Sequence, residues 1–233
     1  MPVDHSLTYK KKSLKSLPHR YRLKVIFGQL DRFSIKDDLF ADVGCSNGFI
    51  TNLITKKYAV KKPVGLEYVE EHVLAARKSY PHIRFDQINL NNDLPVKFKC
   101  QFDVITCFET LEHVGNLPQA ISNLIEMGKS DARILITVPI EIGPWGITKY
   151  LLKRNVYKGY TLQELGVVKS RNYFSDLLRG KDISVYRDPS RPGWGTHFGF
   201  DYRRIDKLLA DKNISFKAKN HFTTRFYAIK LGK

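Results

Sequence analysis

Three side chains able to do acid–base or metal chemistry stand together in "CFETLEHV": Glu109, Glu112 and His113. A helix through this stretch would put Glu109 and Glu112 on one face, with His113 adjacent. The trio allows three roles. The imidazole can act as a base, the whole set can ligate Mg²⁺, Mn²⁺ or Zn²⁺, or the side chains can simply pin a loop. A second group lies upstream in "LFADVGCSNGFI", residues Leu39 to Ile50. An apolar run climbs to Asp42, breaks at Gly44, Cys45, Ser46, Asn47 and Gly48, and resumes with helical spacing. A strand feeding a helix through a glycine turn is the geometry that receives nucleotides in α/β proteins.

Two nucleotide classes are excluded by the turn itself. A phosphate-binding loop needs GxxxxGK[ST], and here Phe49 follows the second glycine. The dinucleotide fingerprint GxGxxG fails at Ser46. What remains is D-x-G-x-x-x-G, in which Gly44 can take a positive φ and Gly48 lets the helix start approach a ligand. In "VGLEYVE" a second strand ends at Glu67, nineteen positions past Gly48. A carboxylate there can accept hydrogen bonds from both ribose hydroxyls of a nucleoside lying across the sheet. The competing role is a helix-terminal glutamate favoured by the macrodipole.

The elements that position these residues follow from the hydrophobic pattern. Helical spacing covers Pro18 to Phe33, Phe49 to Lys57, Val69 to Ser79, Leu117 to Met127 and Asp201 to Ala210. Strands are predicted at Leu39–Val43, Pro63–Leu66, Ile83–Phe85, Phe102–Phe108 and Arg133–Pro139. Two more alternate at Ile214–Lys219 and Thr224–Leu231, around a turn near Asn220. This rhythm predicts a doubly wound, seven-stranded, mostly parallel α/β sheet in one domain over 1–233. Residues 142–196 break the rhythm and read as an α-rich, aromatic and basic insertion after the fifth strand, suited to a lid. Residues 1–36 read as a basic arm and a helix.

With these pieces in order, "ADVGCSNG", "GLEYVE", "FDVITCFETLEHV" and "ARILITVPIE", the sequence resembles the class I S-adenosylmethionine-dependent methyltransferases over residues 37 to 141. The resemblance implies a Rossmann-like fold and S-adenosylmethionine as cofactor. It implies that Asp42, Gly44 and Gly48 hold the amino-acid end, with Cys45 and Asn47 in the turn. Glu67 would hold the ribose, Tyr68 would flank the adenine, and Leu90 and Phe108 would complete the pocket. The family's adenine-binding aspartate aligns with Asn89, and Asp86 is the other candidate. The E-x-x-E-H set is similar to the metal site of ubiquinone-pathway O-methyltransferases and of small-RNA 3′-terminal 2′-O-methyltransferases. In the latter a further histidine completes the shell, and His197 in "WGTHFGFD" is its counterpart. By this resemblance Glu112, His113 and His197 are the catalytic candidates, and Glu109, Glu112, His113 and His197 the metal candidates. "LEHV" also occurs in methyltransferases that use no metal.

Composition bounds the partners. The net charge of +16 favours anions such as RNA or phosphorylated molecules. The insertion carries ten Lys or Arg against four Asp or Glu, interleaved with aromatics at Tyr157-Lys158, Tyr160, Arg171-Asn172-Tyr173-Phe174 and Tyr186-Arg187. That mixture stacks on bases or sugar rings, or packs into a satellite core. No apolar run approaches the roughly 20 residues of a membrane helix, and no apolar segment follows Lys10, Lys11, Lys12 and Lys15. Cys45, Cys100 and Cys107 are odd in number and lack metal spacing, which fits a reduced, cytoplasmic chain. The sequence therefore leads to O-methylation of a small hydroxylated acceptor such as a glycan, glycolipid or metabolite. An RNA methyltransferase and a non-catalytic binding protein that retains the fold are the competing readings.

Overall fold

The computed structural model describes residues 17–33, 35, 39–156 and 172–232. The lysine cluster at 10–15 and the charged aromatic pairs at 157–171 lie outside the described residues. The chain runs through α1 (Leu17–Leu30), β1 (Leu39–Val43), α2 (Phe49–Tyr58), β2 (Lys62–Glu67), α3 (Glu70–Ser79), β3 (Arg84–Gln87), β4 (Phe102–Phe108), α4 (Leu117–Met127) and β5 (Gly128–Pro139). It continues with α5 (Gly143–Val156), α6 (Tyr173–Leu178), α7 (Arg203–Asp211), β6 (Phe216–His221) and β7 (Thr224–Lys230).

One seven-stranded sheet has the order β3-β2-β1-β4-β5-β7-β6. The first five strands pair in parallel, and β7 and β6 add antiparallel pairings. β1 and β4 are near-continuous apolar runs because parallel strands are covered on both faces. On one face Leu117, Ala120, Ile121, Leu124 and Met127 form the buried stripe of α4, packed with Ile205 and Leu209 of α7. Each large apolar side chain in that stripe contributes roughly 1.5–3 kcal/mol by its burial. On the other face Ile26 and Leu30 of α1 and Ile54 of α2 cover Phe40, Val104, Leu135 and Phe226. Tyr173, Leu177, Ile183, Tyr186, Trp194 and Phe198 form a separate cluster, so the described aromatics after β5 are largely a satellite core.

The sheet places the site. The chain winds outward from β1 to β2 and β3, then returns to β4 on the other side of β1. The crevice beyond the carboxyl ends of β1 and β4 is the topological switch point, where open α/β sheets bind ligands. Several element bounds shift from the sequence expectation, most at β5 and the hairpin. β5 begins at Gly128 rather than Arg133, because Lys129, Ser130 and Asp131 continue the strand into solvent without an apolar signal. The hairpin turns at Phe222 and Thr223, two residues beyond Asn220, with Phe222 at φ 54°.

Candidate active site

The glycine turn forms as the sequence predicts, for partly different reasons. Gly44 and Gly48 have φ values of 77° and 76°, and Ser46 has 49°. The Gly44 and Cys45 amides donate to the Leu66 carbonyl at 2.7 and 3.1 Å, folding the turn onto the end of β2. A Cβ on Gly44 would lie 2.1 Å from Thr110 Oγ1, and one on Gly48 would lie 2.6 Å from Phe85 Cζ. The expectation that Gly48 leaves room for a ligand is therefore corrected. Phe85 of β3 fills that room, and Gly48 stays off the cavity wall. Beneath the turn, Asp42 is buried and accepts from Thr51 Oγ1 (2.6 Å) and Thr106 Oγ1 (2.8 Å). Burial pushes its carboxyl up to about 6, and the two hydroxyls oppose that shift. Burial likewise pushes the Cys45 thiol up, with the Asp42 and Glu67 charges adding to it.

Glu67 ends β2 where the sequence places it. Its carboxylate accepts from the Ser46 amide (2.8 Å) and from the Tyr68 and Val69 amides (2.8 and 3.0 Å). Three backbone donors aim it into the crevice, and about one lone-pair site remains of its four. Tyr68 is exposed at the mouth. Asn89 and Leu90 lie on the cavity wall, whereas Asp86 is off it and pairs with Arg84 at 2.7 Å. Asn91 is a junction the sequence reading missed. It donates to the Asn89 side chain (2.9 Å) and to the Pro192 carbonyl (2.8 Å), and it accepts from the Gly115 and Asn116 amides.

After β4 the chain makes a turn, not a helix, and this corrects the shared helical face. Glu109 has φ 49° and donates its amide to Thr137 O, and the His113 amide donates to Thr110 O at 3.0 Å. Asn116 caps α4 by accepting from the Gln119 amide, with Pro118 close behind it, so that helix starts only after the E-x-x-E-H trio. The turn sends the two glutamates to different partners. Glu109 Oε2 pairs with Arg22 Nη1 of α1. Glu112 is fully buried, and neither of its oxygens has a hydrogen-bond partner. Burial, then the Glu109 charge, push its carboxyl well above the usual range.

His113 and His197 converge on Glu112. Each of the three offers a ligand atom, and these atoms lie within 4.8 Å of one another. His113 Nδ1 is 2.8 Å from the Trp194 carbonyl, an obligate acceptor, so Nδ1 carries the proton. His197 Nδ1 is 3.1 Å from Glu141 Oε1, which likewise takes a donor. Both rings turn their Nε2 atoms toward Glu112 Oε1, at 4.0 and 3.9 Å. A ring N–H given to a carbonyl or a carboxylate is the usual support of a metal-binding histidine. Burial, reinforced by His197, holds His113 below its ordinary value and so neutral. The donor set, with an unpartnered buried carboxylate, fits a divalent cation.

Residues from the far end of the chain hold this cluster in place. The Arg187 guanidinium donates to Glu112 O (2.7 Å), Phe198 O (2.7 Å) and Thr196 O (3.1 Å), and lies over Trp194. Val114 and Gly193 form a β-bridge, and the Trp194 amide donates to His113 O at 2.9 Å. One cavity of about 770 Å³, within the usual size range of ligand pockets, joins the two halves. Asp42, Gly44, Cys45, Asn47, Glu67, Tyr68, Asn89, Leu90, Phe108, Glu109, Glu112, His113 and His197 all line it, as do His19, Arg22 and Ile26 from α1.

A switch-point cavity built from a D-x-G-x-x-x-G turn and an acidic end of β2, on a sheet of this order, defines the class I S-adenosylmethionine-dependent methyltransferase class. The family model described as a methyltransferase domain matches residues 36–169, and the chain belongs to that family. Among curated proteins it is 29% identical over 121 residues to a ubiquinone biosynthesis O-methyltransferase of Coxiella burnetii, covering 50% of this chain and 48% of that one. It is 31% identical over 122 residues to the U6 snRNA methylphosphate capping enzyme Amus of Drosophila melanogaster, covering 46% and 40%. The chain thus spans about half the length of the curated relatives it matches. Among solved structures, the methyltransferase domain of bacterial CtHen1 superposes with a TM-score of 0.59 at 14% identity, covering 91% of this chain and 99% of that one. Magnesium protoporphyrin IX methyltransferase from Synechocystis, with bound S-adenosylhomocysteine, gives 0.59 at 13%, covering 97% and 91%. No helix among the described residues is long and apolar enough to cross a membrane.

Proposed function

We propose that the chain moves the methyl group of S-adenosylmethionine to a hydroxyl oxygen of a small hydroxylated acceptor, such as a glycan, glycolipid or metabolite. Glu112, His113 and His197 would hold a divalent cation beside that hydroxyl. The observation that carries this reading is Glu112, buried without a hydrogen-bond partner while the Nε2 atoms of two imidazoles face it. An unpaired buried carboxylate is costly, and a cation at this point relieves that cost.

When bound, S-adenosylmethionine would supply a methyl group on a sulfonium, and a cation on Glu112, His113 and His197 would lower the pKa of a hydroxyl beside it. Transfer of that methyl to the acceptor oxygen would break the carbon–sulfur bond, and the hydroxyl proton would leave to solvent. The chain's own part is placement and exclusion of water. Glu67 holds the ribose, Tyr68 flanks the adenine, and Asn89 and Leu90 close its far edge. The turn above Asp42 holds the amino-acid end. The described part of the 142–196 insertion covers the acceptor side, a role supported by Lys149, Pro192 and Gly193 on the cavity wall.

Thermal unfolding with S-adenosylhomocysteine, Mn²⁺ and EDTA tests the reading first. At about a hundred times its Kd the nucleoside adds about 2.7 kcal/mol, a shift of several degrees. Mn²⁺ should add a further shift that Glu112→Gln abolishes. Transfer of labelled methyl to a panel of hydroxylated acceptors should then stop in chelator, and transfer that persists there removes the cation from the reaction. The charge of +16 and the snRNA-capping relative favour one second reading, an RNA as acceptor. Oligonucleotide binding should then weaken steeply with salt, and salt-insensitive binding would count against it.

A further inference from the structure

The cavity has two halves, a nucleoside crevice and the Glu112 cluster, and Arg22 touches the boundary between them. Arg22 and Lys149 are the Arg or Lys side chains among the described residues on its wall. The three donors of Lys149 go to Ile140 O (2.9 Å), Glu141 Oε1 (3.1 Å) and Thr223 O (3.3 Å). Arg22 reaches from α1 onto the wall of the cavity that the Asp42–Ser46 turn also lines. It pairs with Glu109 through Nη1 and contacts His19 Nδ1 at 3.1 Å through Nη2. The other oxygen of Glu109 is buried without a hydrogen-bond partner. Glu109 therefore stands three residues from Glu112, on the same turn, with its charge balanced by an arginine rather than by the cluster it adjoins. Two anionic groups compete for Arg22 once the crevice fills, Glu109 and the carboxylate at the amino-acid end of the nucleoside cofactor. A guanidinium recognises either one by the same charge-assisted hydrogen bonds.

We propose that Arg22 couples the two ligands of the site. It exchanges Glu109 for the cofactor carboxylate, and the released Glu109 turns to the cation at Glu112, His113 and His197. The proposal rests on the cation reading given above. Coupling of this kind is reciprocal, so each ligand tightens the other by the same factor. In the ligand-free protein the ion pair holds Glu109 back, and a cation meets only three ligand groups. With the carboxylate on Arg22, an unbalanced Glu109 beside the buried Glu112 carboxyl adds negative charge where the cation binds.

The test is Mn²⁺ titration of the intact chain, followed by the loss of the free-ion paramagnetic resonance signal. It is run alone, with saturating S-adenosylhomocysteine, and with 5′-methylthioadenosine, which has the nucleoside but no carboxylate. S-adenosylhomocysteine should tighten Mn²⁺ about tenfold, inside the 5- to 150-fold range usual for such couplings. 5′-Methylthioadenosine should leave Mn²⁺ affinity unchanged. Arg22→Met should bind Mn²⁺ without nucleoside as tightly as wild type does with it, and its coupling factor should fall to about one. Glu109→Gln should bind Mn²⁺ weakly with or without nucleoside and still bind S-adenosylhomocysteine. Equal Mn²⁺ affinity in wild type with and without S-adenosylhomocysteine overturns the coupling alone, as does equal tightening by 5′-methylthioadenosine. Wild type that binds no Mn²⁺ under any condition overturns the cation reading, and the coupling with it. The two nucleosides need no variant, so the outcome does not depend on Arg22→Met folding.

Discussion

Arg187→Met is the sharpest probe of how the two ends of the chain make one site. The guanidinium bonds three carbonyls, those of Glu112, Thr196 and Phe198, which belong to the two segments that carry His113 and His197. A hydrogen bond from a charged donor contributes about 1.5–3 kcal/mol, and the ring contact with Trp194 about 1 kcal/mol more. The three bonds share one side chain and do not add, so the expected loss is about 3–4 kcal/mol. For a chain of this size that lowers Tm by about 6–16 °C. Support of this kind typically matters 10–100-fold for metal affinity, so Mn²⁺ binding should weaken by about that factor. S-adenosylhomocysteine affinity should change less than about threefold, since the Arg187 bonds to Glu112, Thr196 and Phe198 support the histidine side of the cavity. Arg187→Lys should recover part of the stability, because one ammonium cannot span three carbonyls as a planar fork does. Calorimetry and Mn²⁺ titration on the same samples read both effects. A variant that melts within about 2 °C of wild type and binds Mn²⁺ equally would falsify the clamp.

Gly44→Ala should cost about 2–5 kcal/mol, the sum of about 1–2 for a left-handed alanine and about 1–3 for overpacking against Thr110. Urea unfolding reads this as a lower midpoint at unchanged slope, and Thr110→Ala, which removes the two nearest atoms, should restore part of it. If Gly44→Ala is as stable as wild type, the glycine is not fixed by packing. Asp42→Asn isolates a pH effect. The native carboxyl titrates near 6, above its ordinary value, so the folded chain binds the proton more tightly than the unfolded one. Wild-type stability then falls by about 3 kcal/mol as pH rises from about 4 to about 6, at about 1.36 kcal/mol per unit. The variant lacks that term, so the difference between the two unfolding curves should widen across this window in the nucleoside-free protein. Parallel curves would remove Asp42 as its source.

What the sequence revealed and what it hid divide along one physical line. β1, β4 and α4 match their predicted bounds because buried parallel strands and a helix with one apolar stripe leave a pattern in residue type. The glycine turn and Glu67 were legible for the same reason, since φ and charge select particular residues. Arg187 and Asn91 were not. Their partners are mostly backbone groups, and every residue has those, so no spacing marks them. His197 came only through resemblance, because nothing local ties it to His113 until the Trp194 bonds and the Arg187 fork bring the segments together. A helix through Glu109, which would have aligned the two glutamates, does not form, because the helix predicted at Leu117 begins only after the trio. The difference has a chemical consequence. A helix would have aimed both glutamates the same way. The turn instead gives Glu109 to Arg22 and buries Glu112 alone between two oriented imidazoles. Its own backbone carbonyl is bonded by Arg187 and that of His113 by the Trp194 amide, so the unmet hydrogen-bonding capacity is left on the Glu112 carboxyl. A positive ion is the simplest group that would meet it, so Glu112 and its surroundings speak for a cation more than the motif that contains it does.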